Sequence, residues 1–175
     1  MKRHVALIGF MAAGKSTIGK RLARELKMPF VDTDAEIIAL HGPIETIFAS
    51  EGEAAFREYE RIAVEAALAG EAKVLSLGGG AITHAPTRAL LTQHAVRVFV
   101  DVPATTILAR ARRSQTPRPV LGEKPTLARI RELLALREPY YREAEIIIDG
   151  RGATSKIARA IALDVQAALR TLGPT

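Results

Sequence analysis

Five short apolar runs, HVALIG (4–9), FVD (30–32), VLSL (74–77), VRVFVDV (96–102) and EIIIDG (145–150), recur along the chain and are separated by stretches with helical period. Strands buried on both faces read as continuous apolar runs, and parallel neighbours need a crossover long enough to hold a helix. Alternation of this kind predicts an α/β chain with a parallel sheet. Helical period is clear at 16–28, 53–68 and 155–172. In the last of these Ile157, Ile161, Val165, Leu169 and Leu172 form an apolar stripe that should pack on the sheet, with Thr154 or Ser155 as N-cap.

A chain of 175 residues is the size of one ordinary domain, so a single unit spanning 1–175 is expected. With no cysteine a disulfide framework is impossible, and an intracellular, cytoplasmic setting fits. No apolar run approaches the roughly 18 to 20 residues of a membrane span, and the first run passes directly into a glycine loop, so neither signal peptide nor anchor is expected. Breaks fall at 41–43, 78–80 and 114–126. The last holds three prolines and a glycine, too short for a domain linker but the right length for a mobile flap over a site.

The formal net charge of +6 admits either a nucleic-acid partner or a small anionic substrate. Eighteen of the 25 basic residues are arginine, and Arg110, Arg112, Arg113 and Arg118 crowd one stretch without an acid, which points to a local anion site. A nucleic-acid binder would add a long basic stripe or stacking aromatics, yet tryptophan is absent and aromatics make up 5%. No nucleic-acid or membrane partner is expected.

Gly9, Phe10, Met11, Ala12, Ala13, Gly14, Lys15 and Ser16 satisfy the pattern G, four residues, G, K, then S or T, between the first strand and the first helix. Such a loop turns backbone N–H groups inward around phosphate oxygens at the positive end of a helix. Lys15 would neutralise the β- and γ-phosphates, the Ser16 hydroxyl would meet magnesium, and Thr17 would add an α-phosphate contact. Ala12 and Ala13 stand where related loops often carry another glycine, so the backbone there must accept a Cβ.

A phosphate loop alone does not identify the acceptor. FVDTD sets Asp32 and Asp34 two residues apart at a strand end, on one side if the backbone is extended; the plainer reading is that they cap a helix beginning near Ala35. FREYE puts Arg57 three residues before Glu60, where an acid can steady a guanidinium that grips a carboxylate. Gly78, Gly79 and Gly80 close a buried strand and let a ligand approach the backbone.

Taken together, GFMAAGKSTIG, DTD, FR with Glu60, GGGA, RP at Arg118 and Pro119, and R-x-P-x-Y from Arg137 to Tyr141 resemble the shikimate kinase family in order and spacing, from about Val5 to the final helix. The resemblance implies the nucleoside-monophosphate-kinase type of fold: three layers, a central, mostly five-stranded parallel sheet flanked by helices, substrate-binding helices at about 33–62 and a mobile lid at about 113–124. It implies ATP-dependent phosphorylation of the 3-hydroxyl of shikimate, in the route to chorismate and the aromatic amino acids, with ATP and Mg2+, by a monomer. Ala12, Ala13, Gly14, Lys15, Ser16 and Thr17 would hold the nucleotide, Ser16 and Asp32 the metal, and Asp34 the acceptor hydroxyl. Arg57 and Arg137 would bind the carboxylate, with Gly78, Gly79 and Gly80 along the acceptor's ring. Arg118 would close over the phosphates from the lid, Arg110 would stack on adenine, and Arg151 would make a further nucleotide contact.

The nearest rival is another small-molecule kinase of this fold, such as a gluconate or nucleotide kinase, against which the paired arginines argue. A GTP-binding switch lacks its N-K-x-D segment here. The four histidines show no metal-ligand spacing, and Phe48, Phe56 and Phe99 read as core, with Phe56 near enough to Arg57 to touch substrate.

Overall fold

The computed structural model describes residues 4–114, 119–122 and 124–171. The five apolar runs form five strands: β1 (His4–Ile8), β2 (Phe30–Asp32), β3 (Val74–Ser76), β4 (Ala95–Asp101) and β5 (Ile146–Asp149). They lie in one parallel sheet ordered β2-β3-β1-β4-β5, with Val5 opposite both Val74 and Val96. The crossovers are helical: α1 (Lys15–Leu26), α2 (Thr33–His41), α3 (Ile44–Ser50), α4 (Gly52–Ala67), α5 (Ala85–His94), α6 (Ala104–Arg113), α7 (Leu127–Tyr141) and α8 (Thr154–Thr171).

Period-two alternation in β1 divides the core between two layers. Val5 and Leu7 face Ile18 and Leu22 of α1 and Ile157, Ile161 and Val165 of α8; Ala6 and Ile8 face Val64 of α4 and Leu91 of α5. Both faces of the strand are thus buried, as its unbroken apolar sequence requires. A third, smaller cluster of Ile37, Ile47 and Phe56 unites α2, α3 and α4. These helices carry their own core beside the sheet.

Two local expectations shift. The first bonds of α8 run from the Lys156 and Ile157 N–H groups to the Ala153 carbonyl, so the cap position falls at Ala153 and not at Thr154 or Ser155. The second strand ends at Asp32, and Thr33 and Asp34 already belong to α2, so extended geometry does not bring the two aspartates to one side. Both line one cavity all the same, Asp32 from the cap of α2 and Asp34 from its first turn.

The strand order makes connections leave β1 and β3 in opposite directions. A crevice therefore opens between their carboxyl ends, the usual place for a ligand in such sheets. The chain leaves β1 through Gly9, whose φ is +140°, and a Cβ built there would stand 2.8 Å from the Val100 carbonyl oxygen. We expect Gly9→Ala to destabilise the protein by about 2–4 kcal/mol, a backbone penalty joined to a backbone clash, with the denaturation slope unchanged. Urea unfolding of the variant beside the natural chain measures this; equal midpoints would show that the turn relaxes freely.

Candidate active site

The loop after β1 turns through two left-handed residues, Ala12 (φ +61°) and Gly14 (φ +96°), and delivers the chain into α1. No acid stands in the first turn of α1, so the helix has no acid of its own to offset its positive end, which faces the crevice. Lys15 is buried, its ammonium donating to the Gly9 and Phe10 carbonyls at 2.9 Å each. Burial lowers its pKa to about 8 even though Asp34 and Asp32 pull the other way. The Ser16 hydroxyl lies 3.2 Å from that of Ser76 at the end of β3.

Asp32 is the N-cap of α2: its Oδ1 accepts from the Asp34 and Ala35 N–H groups at 3.2 and 3.4 Å. The plainer sequence reading is thus correct for Asp32, with the helix starting two residues earlier than expected. It also lines the crevice, as does Asp34. The buried Asp34 Oδ1 has no hydrogen-bond partner among the described residues. Desolvation, then the neighbouring Asp32, raises its pKa.

On α4, Arg57 donates from one terminal nitrogen to Glu60 and from the other to Glu53 at 2.8 Å. Glu60 is 1% exposed; burial pushes its carboxyl up to about 7 against the pull of Arg57, and its Oε1 has no partner among the described residues. Arg137 comes from α7, is buried, stands over the Phe10 ring at 5.3 Å and leaves Nη1 without a partner among the described residues. The three glycines after β3 have a reason beyond ligand access, for none has a positive φ. A Cβ on Gly78 would collide with Glu60 and stand 2.8 Å from Asp34 Oδ1; one on Gly80 would meet the Arg57 guanidinium, with Nη1 at 2.6 Å; one on Gly79 would come within 2.8 Å of the Met11 N. Their bare backbone is the floor on which the charged side chains and the phosphate loop rest.

These groups enclose one cavity of about 580 Å3. Of the residues proposed from sequence, Ala12, Gly14, Lys15, Ser16, Thr17, Asp32, Asp34, Arg57, Gly78, Gly79, Gly80 and Arg137 line it. Ala13 is buried behind the loop. Arg110 and Arg151 stand apart: Arg110 donates to the Ala13 carbonyl at 2.8 Å and the Gly150 carbonyl at 3.1 Å, and Arg151 forms a two-pronged pair with Asp149. Arg118 lies outside the described residues. Within the expected lid, Pro119–Leu121 is a short 3-10 turn that buries Leu121 and turns Val120 to the cavity.

Sequence reading missed Ser76 and Val120, and gave Glu60 only a supporting part. Ser76 had a signal, the one polar residue in a buried apolar strand. Phe48, expected in the core, packs tilted against Phe56 with ring centroids 4.8 Å apart, and both rings line the cavity.

Among the described residues no cluster of three or more His, Asp or Glu side chains is arranged to hold a metal. The oxygen donors lining the cavity are the hydroxyls of Ser16, Thr17 and Ser76 and the carboxylates of Asp32, Asp34 and Glu60, all hard oxygens. That set fits magnesium, which keeps several waters and takes further ligands from substrate phosphates.

A parallel sheet of this order, a phosphate loop after its central strand and an adjoining cavity of unpaired acids and arginines define a P-loop kinase. The family model for shikimate kinase matches residues 11–167. This chain belongs to the shikimate kinase family. It is 46% identical over 150 residues to the shikimate kinase of Nitrobacter winogradskyi, covering 85% of this chain and 70% of that one. With the Mycobacterium avium enzyme it shares 45% over 148 residues, 84% and 83% of the two chains. The shikimate kinase of Acinetobacter baumannii, solved in complex with shikimate, superposes with a TM-score of 0.89 at 37% identity, covering 96% of this chain and 95% of that one. A gluconokinase from Sinorhizobium meliloti, at TM-score 0.70 and 19% identity over 97% and 95% of the chains, shares the fold alone. No helix among the described residues is long and apolar enough to cross a membrane.

The lowered pKa of Lys15 sets a pH dependence for nucleotide binding. A polyphosphate needs the ammonium, so affinity should be flat below pH 8. Above it, free protein carries neutral lysine, and the dissociation constant should rise by up to about tenfold per pH unit until the pKa of the bound form is reached. Calorimetric titration with an ATP analogue between pH 7 and 10 tests this, with Lys15→Met expected to bind weakly at every pH without the slope.

Proposed function

We infer that this chain transfers the γ-phosphoryl group of ATP to the 3-hydroxyl of shikimate, giving shikimate 3-phosphate and ADP. The supporting observation is that three buried polar atoms without a partner among the described residues, Asp34 Oδ1, Glu60 Oε1 and Arg137 Nη1, belong to side chains lining one cavity beside the phosphate loop. Buried polar atoms are left unpaired at a cost of about 1–3 kcal/mol each, and a ligand bearing hydroxyls and a carboxylate satisfies all three. Two acceptors suit hydroxyl donors; a guanidinium nitrogen suits a carboxylate oxygen.

In this reading Lys15 and the N–H groups of the loop hold the β- and γ-phosphates, with Thr17 beside them. Ser16 and Asp32 hold Mg2+, which when bound neutralises charge on the phosphate oxygens. Asp34 orients the 3-hydroxyl and takes its proton as the oxygen–phosphorus bond forms. Arg57, steadied by Glu60 and Glu53, grips the acceptor carboxylate with Arg137, while Gly78, Gly79 and Gly80 lie along the ring. Residues 113–124 act as the lid, from which Arg118 reaches the phosphates. Arg110 and Arg151 serve the nucleotide end, Arg110 by bracing the loop from behind. A monomer in the cytoplasm suffices for this chemistry.

ADP release with ATP, magnesium and a panel of shikimate, quinate, gluconate and AMP tests the substrate; equal or better turnover of gluconate or AMP would overturn the identity of the acceptor. The two aspartates should separate cleanly. Asparagine caps helices as well as aspartate does, so Asp32→Asn keeps α2 in place and should chiefly raise the magnesium concentration needed for half-maximal rate. Asp34→Asn should lower kcat by about 10²- to 10⁴-fold with nucleotide affinity unchanged. Magnesium titrations of both variants decide the matter, and a metal defect in Asp34→Asn with a chemical one in Asp32→Asn would reverse the assignment.

A further inference from the structure

From Gly78 to Thr83 every backbone carbonyl meets a donor. Gly78 accepts from the Ala81 N–H at 3.2 Å, Gly80 from the Thr83 N–H and hydroxyl at 3.0 and 2.7 Å, and Ala81 from the His84 N–H at 3.3 Å. Ile82 and Thr83 share the Arg88 guanidinium at 2.9 and 2.8 Å. The remaining carbonyl, that of Gly79, accepts from the Tyr141 hydroxyl. All the other donors lie within about six residues of their acceptors, whereas Tyr141 reaches in from α7, sixty-two positions away.

The position of Tyr141 is itself tightly fixed. It is 1% exposed, stacks on Phe99 of β4 at 5.0 Å between ring centroids, and stands four residues after Arg137 on the same helix. One turn of α7 thus presents a guanidinium to the cavity and a hydroxyl to the glycine segment that floors it. No cis peptide occurs in the described chain, so the Gly79 carbonyl and the Gly80 N–H point in opposite directions. Anchoring the first on Tyr141 turns the second away from α7. Among the described residues that N–H has no acceptor, and Gly80 lines the cavity against Arg57.

Resting on the function proposed above, we propose that Tyr141 is a positioning residue for the acceptor: its hydroxyl locks the Gly79–Gly80 peptide so that the Gly80 N–H joins Arg57 and Arg137 in holding an oxygen of the acid substrate. Because Gly79 abuts Met11 of the phosphate loop, the same bond sets the register between acceptor floor and phosphoryl donor. Burial pushes the phenol up to about 12, so it remains a donor throughout the neutral range.

The test is Tyr141→Phe, which keeps the ring on Phe99 and removes only the hydroxyl, beside Leu91→Val, a small cavity in the same core layer at a residue that does not line the site. Tyr141→Phe should lower kcat/KM for shikimate by about 10- to 100-fold, through both a weaker KM and a lower kcat, while the nucleotide dissociation constant stays within about twofold. ADP release should also exceed phosphorylated product, as water competes for a donor whose acceptor is misaligned. Leu91→Val should lower the melting temperature with acceptor kinetics unchanged. If Tyr141→Phe merely melts earlier, as Leu91→Val does, or loses nucleotide and acceptor binding in parallel, Tyr141 is a packing residue and the proposal fails. Should the unsubstituted protein not turn over shikimate at all, the functional reading fails first, which the wild-type control shows separately.

Discussion

At the carboxyl end of β3 the side-chain layer is missing for three residues, and the charges of the site occupy the space it leaves. Asp34, Glu60 and Arg57 press on the backbone of Gly78 and Gly80 closer than any Cβ would allow, and Gly79 gives the phosphate loop its seat. Everything else about the site depends on that gap. Close packing brings the acids and guanidiniums out of water, and withdrawal from water is what moves their protonation equilibria. Burial is the largest influence on Lys15, Asp34 and Glu60 alike, lowering the first and raising the other two.

All three shifts favour the neutral form, as desolvation must, yet cations and anions interleave so closely that each partly restores its neighbour's charge. Lys15 feels Asp34 and Asp32; Asp34 feels Lys15 and Arg57; Glu60 is pulled down by Arg57 and Arg137. A site balanced in this way can receive a highly charged ligand without rebuilding itself. Incoming phosphate restores the lysine, an incoming carboxylate satisfies the free nitrogen of Arg137, and Asp34 retains the unpaired oxygen that a hydroxyl needs. The core bears the stability cost of holding such groups unpaired: both faces of β1 are fully buried, and the α2–α4 helices have an apolar cluster of their own.

What sequence made legible was whatever rests on local periodicity or on a contiguous motif. The inner strands β1, β3 and β4 were legible because a strand buried on both faces is apolar nearly throughout, the partly exposed edge strands β2 and β5 only from their short apolar runs, and the phosphate loop is read directly because all its atoms come from eight consecutive residues. Asp32 was harder, since one carboxylate both caps α2 and faces the crevice, and either role alone explains an aspartate there. Ser76 and Tyr141 owe their parts to tertiary contacts over long separations, Ser76 to Ser16 across sixty positions and Tyr141 to Gly79 across sixty-two, and a local pattern can flag such a residue but not its partner. Arg110 and Arg151 illustrate the converse: an arginine is an obvious candidate for a nucleotide contact, but these two spend their donors on backbone carbonyls and on Asp149.

Arg110 also accounts for the loop's unusual composition. Ala12 holds a left-handed conformation that costs an alanine roughly 1 kcal/mol and a glycine almost nothing, so the loop must be over-determined elsewhere. The guanidinium supplies that constraint by bonding the Ala13 carbonyl at 2.8 Å while tying back to the Gly150 carbonyl beyond β5. Ala13, buried behind the loop, packs into the core shared by α1, α6 and α8, where a glycine would leave a void. The loop thereby exchanges the freedom of additional glycines for rigidity. A loop that need not be ordered by its ligand presents its N–H groups already turned inward, so less binding energy is lost to organising it.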